Sequence, residues 1–467
     1  MPRKKLRTVP TLDGPSSLHE LLHSYGDSFW SVLPEGLQQN VLECKRCQLY
    51  MSSFYSGWDG YTVAVRYITE AASLLPAKFF MASEIIPERR SFILNHPPET
   101  RPEHVFGDQS QWDGDRLMHH AGLILENKQC EVQEMLGCGW DAGGIKQIAE
   151  HALFEELLAI ADCKAFSEER WCFVHEKFCP SWPIPHSENS DVCVGIVAGT
   201  CCYDNSIANR TRGNRANVVG ATLLPWFAFA CTMKHQQPDF IIEECVADSL
   251  CLVEGLTLFL GRHWDVRTFN LEPSMFGDPQ SGMRRYTVYR NMSKRFKVLE
   301  VPHPLQLFRC NMLLDMSVYF CGSDTDVRQA LEVARVASGF SRYDETVGWK
   351  DTLPPAHHKR LLQFIASDLA NSSELLEAFF TDQSGRFGIC TGPMHRRLLR
   401  NTIPYHFTLQ RLQLPLEAMV QMGMPAMTEP WHSFISQTNP AVVREVAGNA
   451  LHPRMFATIF LSTLATL

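Results

Sequence analysis

Cysteine is too thinly spread in this chain to hold a fold together: there are 16 in 467 residues, and no leader-like apolar segment opens the sequence. A disulfide scaffold is excluded, and reduced thiols inside a cell are expected. No apolar run approaches the ~20 residues needed to span a bilayer. Positive charge is not in excess: 43 Lys and Arg stand against 51 Asp and Glu, a net of −8, so global charge does not announce a polyanionic partner. Charged residues are 20% and hydrophobic residues 45% of the chain. These proportions exclude a disordered tail, a collagen and a coiled-coil rod. The pair Cys44-Lys45-Arg46-Cys47 stands alone, with no second Cys-x-x-Cys and no His pair following at zinc spacing. No metal site is assigned there. The basic run from Pro2 to Arg7 reads first as a solvated terminus and second as a nuclear signal, were the source eukaryotic.

What is present is a rhythm. Length allows two to three domains or one elaborated α/β domain. After a polar lead-in over 1–50, strands and helices alternate. Ser53 to Gly57 reads as a strand end and turn, Tyr61 to Leu75 as a helix, and Phe79 to Glu84 as a short strand ending on a carboxylate. A second helix reaches about Leu94, and His104 to Asp108 is another strand ending on a carboxylate. The order implies a parallel sheet with right-handed crossovers, on which ligands sit at the carboxyl ends of strands. The rhythm resumes with a buried strand, Val192 to Ala198, then a helix from about Val218, a strand Asp239 to Glu244, a helix Leu250 to Leu260 and a strand Trp264 to Phe269.

Two stretches break it. Residues 109–190 hold 14 acidic and 6 basic residues, so this insertion alone equals the net charge of the chain and is expected to face away from a polyanion. Its role, whether lid, partner surface or filler, stays open. Residues 292–402 are irregular, with 14 basic and 12 acidic residues. The expected division is therefore a lead-in at 1–50, a catalytic domain at 51–291 carrying the insertion, a separate region at 292–402, and a C-terminal part, 403–467, returning to the catalytic domain.

Taken singly these signals are weak; their order carries weight. Phe54-Tyr55-Ser56-Gly57-Trp58-Asp59-Gly60 is a glycine turn after a strand, with Asp59 where a second glycine is usual. Glu84 and Asp108 follow at successive strand ends. Gly199-Thr200-Cys201-Cys202-Tyr203-Asp204-Asn205-Ser206 resembles a Gly-x-Pro-Cys-Gln-x-x-Ser loop, Glu243-Glu244-Cys245 a Glu-Asn-Val motif, and Gln280 to Arg284 a Gln-x-Arg-x-Arg motif lacking its first Arg. Arg411, Pro415, Glu417, Gln421, Gly423 and Pro425 fit an Arg-x-x-x-Pro-x-Glu and Gln-Gly-x-Pro pattern, and Gly448-Asn449-Ala450 closes the set. From Met51 to the end, the series resembles the C5-cytosine-specific DNA methyltransferase family, as a divergent member.

The resemblance implies a Rossmann-like α/β fold, a mostly parallel sheet flanked by helices, with a smaller irregular target-recognition region at 292–402. It implies S-adenosyl-L-methionine as cofactor, held by Tyr55, Ser56, Gly57, Gly60, Glu84, Ile85, Asp108, Gln109, Asn449 and Ala450. Glu84 would accept from the ribose hydroxyls and Asp108 from the adenine amino group. Cys202 would be the nucleophile, Glu243 the carboxyl that holds the ring, and Arg284 its companion. Gln280, Ser206, Arg396 and Arg397 would meet the substrate, a cytosine-containing duplex DNA. A thiolate suits addition at carbon 6 of cytosine because Cys is the most nucleophilic side chain near neutral pH. Adjacent side chains on a strand face opposite ways, so only one of Glu243 and Glu244 should face the ring. Two other readings stand beside this one: a cofactor-binding homologue without catalysis, to which Asp59, Cys201, Glu244 and Gly282 contribute, and a cytosine-5 methyltransferase acting on tRNA.

Overall fold

The backbone of the sheet runs β3-β2-β1-β6-β7-β10-β8 in space. In chain order the strands are β1 (Gln48–Phe54), β2 (Lys78–Ser83), β3 (His104–Phe106), β4 (Glu169–Cys172), β5 (Lys177–Pro180), β6 (Val192–Gly199), β7 (Phe240–Cys245), β8 (Trp264–Leu271), β9 (Gln280–Ser281) and β10 (Arg284–Asn291). The computed structural model describes residues 12–467 apart from 56, 109–114, 140–141, 162–168, 181–190, 201–222, 247–249, 295, 297–299, 369–379, 382–393 and 397–403. It divides into two compact units, one of 29–271, 283–304 and 456–467, the other of 1–28, 272–282 and 305–455.

The sheet belongs to the first unit. β1 pairs in parallel with β2 on one side and β6 on the other, and β2–β3 and β6–β7 are parallel too. Only β10 runs against its neighbours, pairing antiparallel with β7 and β8. The chain winds outward from β1 to β3 and then returns to β6, so the order reverses between β1 and β6. That is the doubly wound arrangement the sequence implied, with its ligand crevice expected outside the carboxyl ends of those two strands. The hydrophobic runs supply it directly: strands buried on both faces read as near-continuous apolar segments, as Val192 to Ala198 and Phe240 to Ile242 do.

One face of the sheet (Phe54, Ile196, Ala198, Ile241 and Tyr289) packs on the helices Leu223–Gln236 and Leu250–Leu260. The acidic insertion joins that layer. It folds into two long helices, Asp115–Gly137 and Ala142–Ile160, whose Ala121, Leu125, Val132, Leu153, Phe154 and Leu157 enter the same core. At Gly255 a Cβ would stand 2.7 Å from the Phe154 ring and 2.8 Å from Trp226, so the helix Leu250–Leu260 lies against the insertion too closely for any side chain there. The described helices of the insertion are thus built into the helix layer on this face of the sheet. The other face is covered by the helix Tyr61–Ala71 and by residues from Phe456 onward, with Tyr61 against Phe79 and Phe456, and Phe240 against Phe460.

The second unit takes in most of the expected 292–402 region and residues up to 455; residues 456–467, which include most of the helix Pro453–Leu464, fall with the sheet. Its best-knit part is the Arg411 motif. The Arg411 guanidinium grips Glu417 with two hydrogen bonds (2.7 and 2.8 Å), and the same carboxylate accepts from the Leu414 and Gly322 backbone N–H groups, each at 2.8 Å. Pro415 opens the helix Pro415–Gln421 at its first turn, where its missing N–H costs nothing. Such a buried, fully satisfied fork explains the Arg-x-x-x-Pro-x-Glu spacing without any ligand.

Candidate active site

The glycine turn follows β1 at the reversal point. Gly57 has φ 68°, and Tyr55 and Asp59 share the left-handed region at 58° and 67°. Asp is among the few residues with a side chain that accept this conformation. Asp59 therefore keeps the turn that a second glycine would give. His96, fully buried, props it from below: its Nε2–H donates to the Trp58 carbonyl (2.6 Å), and Nδ1 lies 3.2 and 3.4 Å from the Thr100 and Thr62 hydroxyls. Burial pushes the His96 pKa down to about 4, with the Trp58 carbonyl opposing, so the ring is neutral. Nothing in the letter pattern pointed to His96.

The strand ends are tied to each other by backbone bonds. Tyr55 N–H donates to Ser83 O (3.1 Å), Glu84 N–H to Phe106 O (3.1 Å), and the Ser83 hydroxyl to Gly107 O (2.8 Å). The Tyr55 hydroxyl donates to Pro225 O at 2.5 Å. Glu84 is 2% exposed; its Oε1 accepts from Ile86 N–H (3.0 Å), while Oε2 is buried with no hydrogen-bond partner among the described residues. Burial raises its pKa, against the pull of Arg89, the Ile86 N–H, Arg90 and the Gly57 N–H. An orphaned acceptor at a strand end beside a glycine turn fits a ribose hydroxyl. Beside it Ile85 leaves 49% of its surface open, an apolar platform suited to a flat ring. Asp108 lies half-buried past the end of β3. Ser56 and Gln109 lie outside the described residues.

At the far side of the crevice, Gly199 at the end of β6 stands opposite Glu244 in register, and Ala198 opposite Glu243. The two glutamates face opposite ways, as alternation requires. Glu243 is 1% exposed and accepts from the Tyr289 hydroxyl (2.9 Å) on the helix-covered face. Burial raises its pKa, and Arg285 is the strongest opposing influence. The three guanidinium nitrogens of Arg285 are buried without a hydrogen-bond partner among the described residues. Glu244 instead meets Arg284, Nε to Oε1 at 3.1 Å, with both side chains partly open to solvent. Period two puts Glu243 with Arg285 on one face and Glu244 with Arg284 on the other, so it is Glu244 that Arg284 meets. Reading the motif one residue later, as Glu244-Cys245-Val246, would have found this pairing, because it keeps the Val of Glu-Asn-Val.

Cys202, Cys201 and Ser206 lie outside the described residues, as does Arg397. In the second unit, Gln280 is fully buried with Nε2 3.5 Å from the Met422 sulfur, and its strand β9 pairs with His395–Arg396. Its neighbour Asp278 bonds Tyr319 and lies 3.0 Å from His452 Nε2. Asn449 caps the helix Pro440–Gly448 and donates to Glu445 O (2.8 Å); Ala450 beside it is buried. No described helix is long and apolar enough to cross a membrane.

No family model and no curated protein matches the sequence. Solved structures do resemble it over most of its length. A prophage-encoded E. coli protein described as a DNA modification methyltransferase has 15% identity and a TM-score of 0.45, covering 90% of this chain and 99% of that one. The Entamoeba histolytica methyltransferase EhMeth has 12% identity and a TM-score of 0.44 over 89% and 97%. The Dnmt2 methyltransferase of S. pombe has 15% and 0.41 over 89% and 98%. All three are described as methyltransferases, the class that the ordered motifs resemble; at identities of 12 to 15%, with TM-scores below one half, the likeness transfers no activity.

Proposed function

We propose that this chain methylates carbon 5 of cytosine in DNA, using S-adenosyl-L-methionine. The observation that carries the reading is the Glu244–Arg284 pair, 3.1 Å apart at the crevice end of the sheet, with Glu244 in register with Gly199, three residues before Cys202. The cofactor, when bound, supplies an electrophilic methyl group. Glu84 would hold its ribose through the orphaned Oε2, Ile85 its adenine face, Asp108 the adenine amino group, and the left-handed turn at Gly57 lets the backbone come close.

The protein's own part is to make carbon 5 nucleophilic. The Cys202 thiolate adds to carbon 6, and the ring electrons move to carbon 5 as an enamine. Glu244 takes the place first given to Glu243: its carboxyl, sharing a proton with ring N3, holds the ring edge as thiolate addition puts negative charge there, and Arg284 orients it. Once carbon 5 carries the methyl group, its proton passes to solvent water as base, the carbon 6–sulfur bond breaks, and the Cys202 thiolate leaves with the ring restored. The target carbon is inaccessible in a duplex, so the base must be flipped out first. Residues 292–402, with Arg396 and Arg397, are the proposed target-recognition region.

Transfer of labelled methyl from the cofactor to DNA and to tRNA, measured side by side, tests the reading. Label on DNA, and a covalent adduct at Cys202 with 5-fluorocytosine in the substrate, are expected. Label on tRNA alone would move the substrate; cofactor binding with no transfer to either would favour a homologue without catalysis.

A further inference from the structure

A β-hairpin packs on the open edge of the sheet and brings four metal-ligating side chains together. β4 and β5 pair antiparallel, Trp171 opposite Phe178, across the turn Phe173 to Glu176. The Phe173 N–H donates to the Val105 carbonyl of edge strand β3 at 2.8 Å, and the Phe173 ring lies under the Arg90 guanidinium at 4.2 Å. In this seam His104 of β3, Cys172 of β4, His175 of the turn and Cys179 of β5 present ligand atoms that all lie within 4.8 Å of one another. The Cys172 and Cys179 sulfurs are 3.4 and 3.5 Å from His175 Nδ1. The imidazoles of His104 and His175 meet edge to face, centroids 4.8 Å apart.

These separations suit one ion. Zinc takes sulfur at about 2.3 Å and nitrogen at about 2.0–2.1 Å in a tetrahedron, which sets its ligand atoms roughly 3.3–3.8 Å apart. Both cysteines are free and buried, at 0% and 3% exposure, although seven residues apart on one hairpin, where a disulfide would be the other way to use them. His104 Nδ1 is buried with no hydrogen-bond partner among the described residues. A buried imidazole nitrogen without a partner beside two buried thiols is costly unless something fills the gap.

We propose that His104, Cys172, His175 and Cys179 form a structural zinc site that clips the hairpin to the edge strand. Two thiols each lose a proton to solvent on binding, and two neutral imidazoles complete the set, so the charge of the ion is cancelled by its ligands. Four protein ligands close the coordination sphere, which leaves no position for substrate or activated water. The task is mechanical. The clip covers an edge that would otherwise present unpaired backbone groups, and it holds β3 just ahead of Asp108. Cys172-x-x-His175-x-x-x-Cys179 is a compact signal, but its fourth ligand comes from a strand on the other side of the long insertion helices.

Elemental analysis of the full chain, purified under reducing conditions, tests this. About one zinc per chain is expected, with an X-ray absorption edge fitted by two sulfur and two nitrogen neighbours. Cys172→Ser and His175→Gln should each lose the metal, while Cys130→Ser, an exposed thiol elsewhere, should retain it. Should the Cys variant fail to fold, the intact protein serves: cobalt(II) exchanged for zinc should give the visible bands of a tetrahedral thiolate site, and a thiol-specific mercurial should release the zinc. Chelation should speed amide exchange in 169–180 and 104–108. Zinc absent even after loading with zinc salt, zinc retained by both ligand variants, or a Cys172–Cys179 disulfide in freshly reduced-and-purified protein would overturn the proposal.

Discussion

The two halves of the sheet differ in whether a strand-end carboxylate has an ion-pair partner. On the β1–β3 side, Glu84 is buried with one oxygen unsatisfied, and its arginines Arg89 and Arg90 act on it only from a distance; Arg90 spends its own bonds on the Glu84 and Ile85 carbonyls at 2.9 and 2.7 Å. On the β6–β10 side, Glu244 is ion-paired with Arg284, whereas Glu243, like Glu84, keeps one buried oxygen without a hydrogen-bond partner among the described residues and feels its arginine, Arg285, without a direct bond. Under the proposed function Glu84 belongs to a binding half and Glu244 to a chemical half, and substitutions should divide along the same line.

Cys202→Ser should have the largest effect, abolishing methyl transfer with cofactor affinity unchanged, because a serine hydroxyl is scarcely ionised without a dedicated base; filter binding and transfer assays on one preparation check both. Next comes the pair on β7. Glu244→Gln should lower kcat about 10²-fold or more with little change in melting temperature. Glu243→Gln should do the reverse: it removes the buried charge that acts most strongly with Arg285, costing about 1–3 kcal/mol of stability, and Glu243→Gln with Arg285→Met should regain part of that. Equal loss of kcat for the two single variants would erase the distinction between the faces.

The turn between the halves should respond to pH. The pKa of His96 is depressed by burial from 6.5 to about 4. Its contribution to stability is therefore complete above pH 6.5 and is lost as pH falls toward 4, where the unfolded chain takes up a proton the folded one refuses. The whole window amounts to about 3 kcal/mol. Urea unfolding at about pH 7 and about pH 5 should show part of this fall, and His96→Gln should flatten it. Glu84→Ala should weaken cofactor binding by roughly 1.5–3 kcal/mol, about tenfold or more. Because burial raises the Glu84 pKa, wild-type affinity should also decline on acidification sooner than for an ordinary carboxylate. Calorimetry across pH would detect both. Smallest of all, Glu126→Lys, Glu134→Lys and Glu155→Lys together, on the exposed side of the insertion helices, should leave stability within about 0.5 kcal/mol per site. Salt-dependent DNA binding should rise.

The sequence made the sheet legible because buried parallel strands are short apolar runs with turn residues at their ends, and β2, β6, β7 and β8 fall within a residue or two of where Phe79, Val192, Asp239 and Trp264 open such runs. β10 was not separated from the motif before it, since Arg284 and Arg285 disguise a strand whose other residues are buried. The positions of Glu84 and Asp108 at strand ends were legible for the same reason as the strands. The partner of Arg284 was not, because two adjacent glutamates fit one motif equally well until a cross-strand register chooses between them. His96 and the hairpin ligands were hidden by distance in sequence: each acts on an element that the chain reached much earlier or later.

The left-handed backbone at Asp59 has a consequence in the genetic code. Glycine and aspartate codons differ by a single base, and aspartate is one of the few side chains that can occupy φ 67° at modest cost. The turn can thus exchange one letter for the other in one mutational step without an intermediate in which it is broken. A motif preserved as a dihedral angle can drift out of its spelling, so that a search by letters loses the chain while its backbone still traces the same loop.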